Sequence, residues 1–309
     1  MLPRTLEPEV MDTAQEAADY DAMDHSEVNR RFVDDWGTAG LATGRLLVGV
    51  HSPMGGSLPC LHPLPHNRPC FRIGLHCGGE GRGEGVRVRD TAPSPQPSPP
   101  QHTHSEGHVD RGGEGAGRIP PRGECTPPAA ALRMLDVGTG TALIPIEFCR
   151  SFPNLRIVAI DLANEMLKLA TANVERAGFR DRIELRLVDA KRIPCPDGEF
   201  ATVVSNSIIH HIPRPLDSLA EMVRVLAPGG LLFVRDLLRP RTEAELEALV
   251  TTYTPGATPS MRQLFRQSLH AALTVEEVAD MLDQLGLNRA GVRATSDRHW
   301  TLTGILPAR

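Results

Sequence analysis

Three acidic residues stand at or beside the ends of apolar runs that are typical of β-strands. Asp136 lies near the end of the run 131–137, Asp161 closes the run 156–161, and Asp189 follows directly on a third run. Amphipathic stretches typical of helices separate these runs, so the strands are predicted to lie parallel in one sheet. The carboxyl ends of parallel strands meet at one edge, where open α/β sheets bind their ligands. The spacing therefore predicts three carboxylates along one ligand-binding edge.

A glycine turn follows the first predicted strand. It consists of Gly138, Thr139 and Gly140, and an apolar helical pattern begins at Thr141. Glycine lets the backbone turn sharply and leaves no side chain where a ligand must approach. The free N–H groups at the start of a helix favour nucleotide-like ligands. A dinucleotide fingerprint needs glycine at its sixth position, where this chain has Leu143, so a nicotinamide cofactor is disfavoured.

The second and third acids suit two parts of a nucleoside. Asp161 comes about twenty residues after the glycine turn, the separation at which an acid accepts hydrogen bonds from ribose hydroxyls. Leu162 follows it directly. Asp189, followed by Ala190, is placed to accept a hydrogen bond from an exocyclic adenine amine.

Candidates for acid–base chemistry follow the fourth predicted strand, 201–205. Asn206 comes first, and His210 and His211 come next. A histidine at this edge can hydrogen-bond a substrate or take a proton from it. The alternative is that one or both histidines cap the following helix or fill a crevice. Asp236, at the end of the fifth predicted strand, is a further candidate on the same side.

These motifs resemble those of the class I S-adenosylmethionine-dependent methyltransferases over residues 131–309. The glycine turn matches the family's glycine motif, and Asp161 matches its ribose-binding acid. Ala142 stands where many members have a third glycine. The run 189–200 looks like the "DA…LPFPDGSFD" segment of the ubiquinone/menaquinone C-methyltransferase type, which is the nearest resemblance.

The resemblance implies an α/β, Rossmann-like fold: a seven-stranded, mostly parallel sheet with a final antiparallel strand and helices on both faces. It implies that S-adenosylmethionine is the cofactor and that a small-molecule acceptor is methylated by in-line displacement. The residues expected to bind the cofactor are Asp136, Gly138, Thr139, Gly140, Asp161, Leu162, Asp189, Ala190 and Asn206. The residues expected to be catalytic are His210 and His211. Two alternatives stay open, a nicotinamide-dependent oxidoreductase and an S-adenosylmethionine-binding protein without catalysis.

The chain is predicted to contain three segments. Residues 1–44 form a helical lead-in, residues 131–309 form the methyltransferase domain, and residues 45–130 form a low-complexity insertion. The insertion holds 14 Pro and 15 Gly, a composition that predicts disorder. Its cysteines and histidines show no closely spaced Cys pair of the kind that structural zinc sites use, so no metal site is expected.

Composition limits the partners. The formal net charge is −5 and no Lys/Arg-rich block occurs, which disfavours nucleic acid as a partner. No run of 18 apolar residues occurs and the N-terminus is acidic, so neither a membrane span nor a signal peptide is expected. The expected compartment is the cytoplasm, and the sequence leaves the oligomeric state open.

Overall fold

A computed structural model describes residues 1–8, 12–42 and 132–307. All of these residues belong to one of the two units into which the chain divides. The predicted insertion, 45–130, with its cysteines and histidines, lies outside the described residues. Its assignment as a disordered segment without a metal site therefore stays a prediction.

Seven strands form one sheet in the order β3-β2-β1-β4-β5-β7-β6. The strands are β1 Leu132–Val137, β2 Leu155–Asp161, β3 Ile183–Leu187, β4 Phe200–Asn206, β5 Leu226–Leu237, β6 Val292–Ala294 and β7 His299–Ile305. Strands β1 to β5 pair in parallel. Strand β7 is antiparallel to both of its neighbours. The predicted Rossmann-like sheet with one antiparallel strand near its end is confirmed.

The helices of the described residues connect and cover these strands. They are α1 Ala14–Asp21, α2 Ser26–Ala42, α3 Leu143–Ser151, α4 Asn164–Ala177, α5 Pro215–Val225, α6 Glu243–Tyr253, α7 Pro259–Ala271 and α8 Val275–Gln284. A short 3₁₀ helix spans Ile209–His211. None of these helices is long and apolar enough to cross a membrane.

Side chains alternate between the two faces of the sheet, as strand geometry requires. Along β2, Ile157 and Ala159 enter one hydrophobic cluster, whereas Val158 and Ile160 enter the other. Both faces are therefore buried, which explains why the central strands are apolar almost throughout.

Helix α2 contributes to one of these cores. The Trp36 side chain is 1% exposed, and its indole N–H donates a hydrogen bond to Thr202 Oγ1 on β4 over 3.1 Å. Its ring meets Phe148 of α3 edge-on, with the ring centres 5.0 Å apart. The N-terminal segment is thus part of the hydrophobic core and not only a lead-in to it.

Strand β5 begins earlier than the sequence indicates. Residues 226–230 resemble the family's turn before the fifth strand, but the structure assigns them to β5 as an irregular stretch, with a register shift against Phe200 and Thr202. Gly229 has a φ of +72°, and its N–H donates a hydrogen bond to the Leu306 carbonyl over 2.7 Å. The chain turns here within the strand, because the glycine can adopt a left-handed conformation.

Candidate active site

A cleft opens at the carboxyl ends of the parallel strands. Eight of the residues predicted from sequence line it: Gly138, Gly140, Asp161, Leu162, Asp189, Ala190, Asn206 and His211. Its wall also includes Tyr20, Ile160, Ala163, Met166, Val188, Lys191, Ser207, Ile208 and Ile212. The mixture of apolar walls with a few carboxylates is typical of a small-molecule site.

Asp161 joins two loops of this cleft. Its Oδ2 accepts a hydrogen bond from the Gly140 N–H over 2.7 Å, and its Oδ1 accepts one from the Ala163 N–H over 2.9 Å. Burial raises the pKa of the Asp161 carboxyl, and these N–H donors partly offset the rise. The carboxylate therefore fixes the glycine turn against the end of β2 and still faces the cleft.

The glycine turn lies tightly against the segment after β4. A Cβ on Gly138 would stand 2.2 Å from Ile208 Cγ2, and Gly138 has a φ of +75°. Ala142 takes a φ of +62°, a left-handed conformation that favours glycine. This explains why the structure begins α3 at Leu143 and not at the predicted Thr141. Ser207 also has a positive φ, +58°, a strain that is often found at functional sites.

Asp136 and Thr139 lie behind the cleft wall and not on it. The Asp136 residue is 2% exposed, and its Oδ2 has no hydrogen-bond partner. Burial raises the pKa of its carboxyl to about 7, although the nearby Thr139 hydroxyl lowers it. A direct contact of these two residues with the cofactor therefore stays a prediction.

Asp189 lies on the cleft wall beside the ammonium group of Lys191. Its Oδ1 accepts a hydrogen bond from the Lys191 backbone N–H over 2.8 Å, and Lys191 Nζ lies 3.0 Å from the same oxygen. Burial opposes ionisation, but these donors lower the pKa of the Asp189 carboxyl below its ordinary value. Asp189 is thus a carboxylate at neutral pH.

The two histidines occupy different environments. His211 lines the cleft, whereas His210 is 3% exposed and its Nδ1 lies 2.5 Å from Asp236 Oδ1. Burial disfavours the charged imidazole, but the Asp236 carboxylate outweighs it and raises the pKa of His210. Of the pair predicted to be catalytic, only His211 reaches the cleft.

The structure adds Glu7 to this group. Its Oε1 lies 3.1 Å from His211 Nδ1 and 3.6 Å from His210 Nε2. Burial opposes the ionisation of Glu7, but the two histidines lower the pKa of its carboxyl. Arg4 holds the segment in place, because its Nη2 donates hydrogen bonds to the His210 and Ile212 carbonyls over 3.1 and 3.0 Å. No periodicity or spacing in the sequence points to Glu7.

Tyr20 is a second wall residue that sequence reasoning missed. It belongs to α1 and lies beside Gly140 in the cleft wall. Burial, followed by the charge of Asp161, raises the pKa of the Tyr20 hydroxyl to about 12. The phenol therefore stays neutral and offers a hydrogen bond to a ligand.

Residues 135–234 match the family model of a methyltransferase domain. This stretch is a methyltransferase domain. It runs from β1 into β5 and holds the glycine turn and all three strand-end acids. The match disfavours the nicotinamide-dependent oxidoreductase alternative.

Curated relatives match this chain, and two of the alignments are longer than the methyltransferase domain. The ubiquinone/menaquinone biosynthesis C-methyltransferase of Pseudomonas fluorescens is 29% identical over 168 residues, which cover 54% of this chain and 65% of the relative. That of Geotalea uraniireducens is 29% identical over 175 residues, or 56% of this chain and 74% of the relative. Phosphatidylethanolamine N-methyltransferase of Cereibacter sphaeroides is 37% identical over 99 residues, or 32% and 47%. The chain thus spans about half to three quarters of the length of these curated relatives.

A solved structure also resembles the methyltransferase domain. An S-adenosylmethionine-dependent methyltransferase from Aquifex aeolicus superposes with a TM-score of 0.43 and 20% sequence identity. The superposition covers 57% of this chain and 82% of that one.

The residues at the cleft fit S-adenosylmethionine, the cofactor that the sequence resemblance implies. The Gly138 turn leaves no room for a Cβ, Asp161 closes β2 on the cleft wall, and Tyr20 stands beside the turn. The side chains of Leu162 and Met166 give an apolar surface for a base. The cleft therefore has a polar group for the ribose and an apolar surface for the adenine of one nucleoside.

Proposed function

We propose that the chain transfers a methyl group from S-adenosylmethionine to a small-molecule acceptor by in-line displacement. The observation that supports this most strongly is the position of Asp161, which faces the cleft of a methyltransferase domain while it holds Gly140. When bound, the cofactor supplies an electrophilic methyl group. The protein aligns the reactants and excludes water, which can contribute about 7–11 kcal/mol toward the barrier.

The cofactor is expected to lie along the ends of β1, β2 and β3. Asp161 would accept hydrogen bonds from the ribose hydroxyls, and Asp189 would accept one from the adenine amine. Leu162 and Ala190 would contact the base, and Asn206 would face the cofactor from the end of β4. This arrangement leaves the space near His211 for the acceptor.

His211 is the proposed catalytic residue, because it is the histidine that reaches the cleft. It would hydrogen-bond the acceptor or take a proton from it, a contribution of about 10²–10⁴ in rate where a proton must leave. His210 acts through its neighbour as a positioning residue: the two rings lie 4.1 Å apart between centres, and Asp236 fixes the orientation of His210. A base is needed only if the acceptor loses a proton.

The proposed acceptor is a small molecule that contains a nucleophilic carbon, oxygen or nitrogen. Two kinds of relative support this class: one is named for quinone biosynthesis and the other for phosphatidylethanolamine. The net charge of −5 argues against nucleic acid as the acceptor. We place the reaction in the cytoplasm, without a membrane span.

The test is calorimetric titration of the purified chain with S-adenosylhomocysteine, with NADH in parallel. We expect micromolar binding of S-adenosylhomocysteine alone, lost in Asp161→Ala. It should be retained in Asp197→Ala, which removes an exposed carboxylate paired with Arg224. Binding of NADH instead would restore the oxidoreductase alternative.

Transfer itself is measured with radiolabelled S-adenosylmethionine and two acceptors, a demethylated quinol and phosphatidylethanolamine. Label in either product supports catalysis and selects the acceptor class. His211→Asn is expected to lower kcat and to leave the affinity for S-adenosylhomocysteine unchanged. Cofactor binding without transfer to any acceptor would favour the non-catalytic alternative.

A further inference from the structure

Three donor atoms converge beside the cleft, and two of them belong to the histidines that the methyl-transfer proposal already uses. They are Glu7 Oε1, His210 Nε2 and His211 Nδ1, and all lie within 4.8 Å of one another. We propose that these residues bind one divalent transition-metal ion of the zinc class. The proposal concerns binding and does not depend on methyl transfer.

The distances suit a shared ion. Donor atoms at about 2.0–2.2 Å from a tetrahedral zinc ion stand roughly 3.3–3.6 Å apart. Glu7 Oε1 lies 3.1 Å from His211 Nδ1 and 3.6 Å from His210 Nε2. Small shifts of the side chains would bring all three atoms to one centre.

Two of these atoms are buried without a hydrogen-bond partner. Glu7 Oε1 and His211 Nδ1 are close together, but their orientation does not make a hydrogen bond. The Glu7 side chain is only 7% exposed. A buried carboxylate oxygen without a partner costs free energy, and a metal ion between the two atoms would satisfy both of them.

Groups behind the donors hold them in place, as is usual at metal sites. Asp236 Oδ1 lies 2.5 Å from His210 Nδ1, which leaves Nε2 as the free nitrogen of that ring. Glu7 Oε2 accepts a hydrogen bond from Ser268 Oγ over 3.2 Å. The Glu7 and Asp236 carboxylates supply two negative charges for a divalent ion, and Arg4, which donates its hydrogen bonds to backbone carbonyls, adds one positive charge nearby.

The donor set selects the kind of ion. Two imidazoles and one carboxylate are a ligand set of catalytic zinc sites, whereas Mg²⁺ and Ca²⁺ prefer oxygen donors. Three protein ligands leave a fourth position open. Because His211 lines the cleft, that position would face the acceptor space, where water or a heteroatom of the acceptor could occupy it.

The test is titration of the EDTA-treated full chain with Co²⁺ and with Zn²⁺, in the absence of cofactor and acceptor. We expect one Co²⁺ per chain with visible d–d bands and without sulfur-to-metal charge transfer. The missing charge transfer separates this site from any site built on the cysteines. Glu7→Gln and His211→Ala are each expected to weaken binding at least tenfold, by analogy with losses caused by changes near metal ligands.

The matched control is Glu243→Gln. Glu243 Oε1 also stands 3.6 Å from an imidazole nitrogen, His270 Nε2, but among the residues that the structure describes no second histidine joins that pair. This variant should bind Co²⁺ like the wild type, and Zn²⁺ should raise Tm in both but not in Glu7→Gln. Equal affinity in all four proteins, or no binding by a folded wild type, would overturn the proposal and leave the trio as a buried ion-pair network. Neither result would affect binding of S-adenosylhomocysteine, so the two proposals fail separately.

Discussion

Replacing Asp136 by asparagine is expected to remove a pH dependence of cofactor binding that the wild-type protein shows near neutrality. Asp136 is 2% exposed, and burial raises the pKa of its carboxyl to about 7. In the free protein it is therefore partly protonated at pH 7. A sulfonium ligand in the adjacent cleft carries positive charge, which favours the carboxylate. Binding should thus release a proton from Asp136.

The magnitude follows from the two pKa values. If binding returns the pKa of the Asp136 carboxyl toward its ordinary value of 3.8, the apparent Kd is multiplied by a factor. This factor is one plus the ratio of protonated to ionised Asp136 in the free protein. With a pKa near 7, this factor is about 11 at pH 6 and about 1.1 at pH 8, a tenfold change worth about 1.4 kcal/mol. Affinity for S-adenosylmethionine should therefore rise tenfold between these pH values and then level off.

The same shift affects stability with a defined sign. The folded-state pKa of Asp136 lies above the unfolded value, so between pH 4 and pH 7 the folded state binds more protons than the unfolded state. The free energy of unfolding should then fall as the pH rises through this window, by at most about 4 kcal/mol from this group. Asp136→Asn should flatten that part of the profile.

The assay is calorimetric titration with S-adenosylmethionine at pH 6 and pH 8, in buffers of different ionisation enthalpy, so that proton release is counted directly. Asp189→Asn is the matched control, because the pKa of Asp189 is lowered and its charge is constant over this range. That variant should bind more weakly but keep the tenfold ratio. A wild-type Kd that does not change with pH, or a ratio that persists in Asp136→Asn, would refute the reasoning.

Three further predictions concern the glycine turn, the hydrophobic core and the segment 45–131. In urea unfolding, Gly138→Ala should destabilise the protein by about 1–3 kcal/mol more than Gly178→Ala. Both glycines have a positive φ, but only a Cβ at Gly138 would clash with Ile208, at 2.2 Å. Equal losses of stability in the two variants would exclude this clash as the cause. Trp36→Phe should lower Tm, since it loses a hydrogen bond to the threonine hydroxyl of β4 worth about 1 kcal/mol; an unchanged melting curve would contradict this. Replacing residues 45–131 by a Gly/Ser linker should leave the affinity for S-adenosylhomocysteine unchanged, and loss of binding in a folded variant would show that the segment contributes.

The sheet was predicted well from the sequence because the patterns that indicate strands and turns involve residues close together along the chain. Asp161 and the glycine turn each stand where a strand ends and the backbone must turn. The run 164–177 is amphipathic and Gly178 follows it, a pattern that predicts a helix with the bounds of α4, Asn164–Ala177, and Gly178 takes the left-handed conformation at its end. β5 was less predictable: the stretch 226–230 contains turn residues, yet pairing with neighbouring strands keeps it in the sheet.

The position of a side chain relative to the cleft wall was not predictable in this way. Asp136 is the second-last residue of β1 and Asp161 is the last residue of β2. Asp136 is 2% exposed behind the wall, whereas Asp161 lies on the cleft wall. The position of Glu7 was even less predictable from the sequence. Glu7 meets His211 because Arg4, Thr5 and Glu7 itself anchor the N-terminal segment to residues far along the chain, and no periodicity encodes such a contact.

These contacts give the N-terminal segment a larger role than that of the lead-in predicted from the sequence. Trp36 lies in the core beneath the sheet, Tyr20 lies on the cofactor side of the cleft, and Glu7 lies beside His211. The family model begins only at residue 135, so all three residues precede the matched domain. Because the matched domain holds the residues proposed to bind the methyl donor, the residues that distinguish this protein's acceptor should be sought where the N-terminal segment meets the carboxyl ends of β4 and β5.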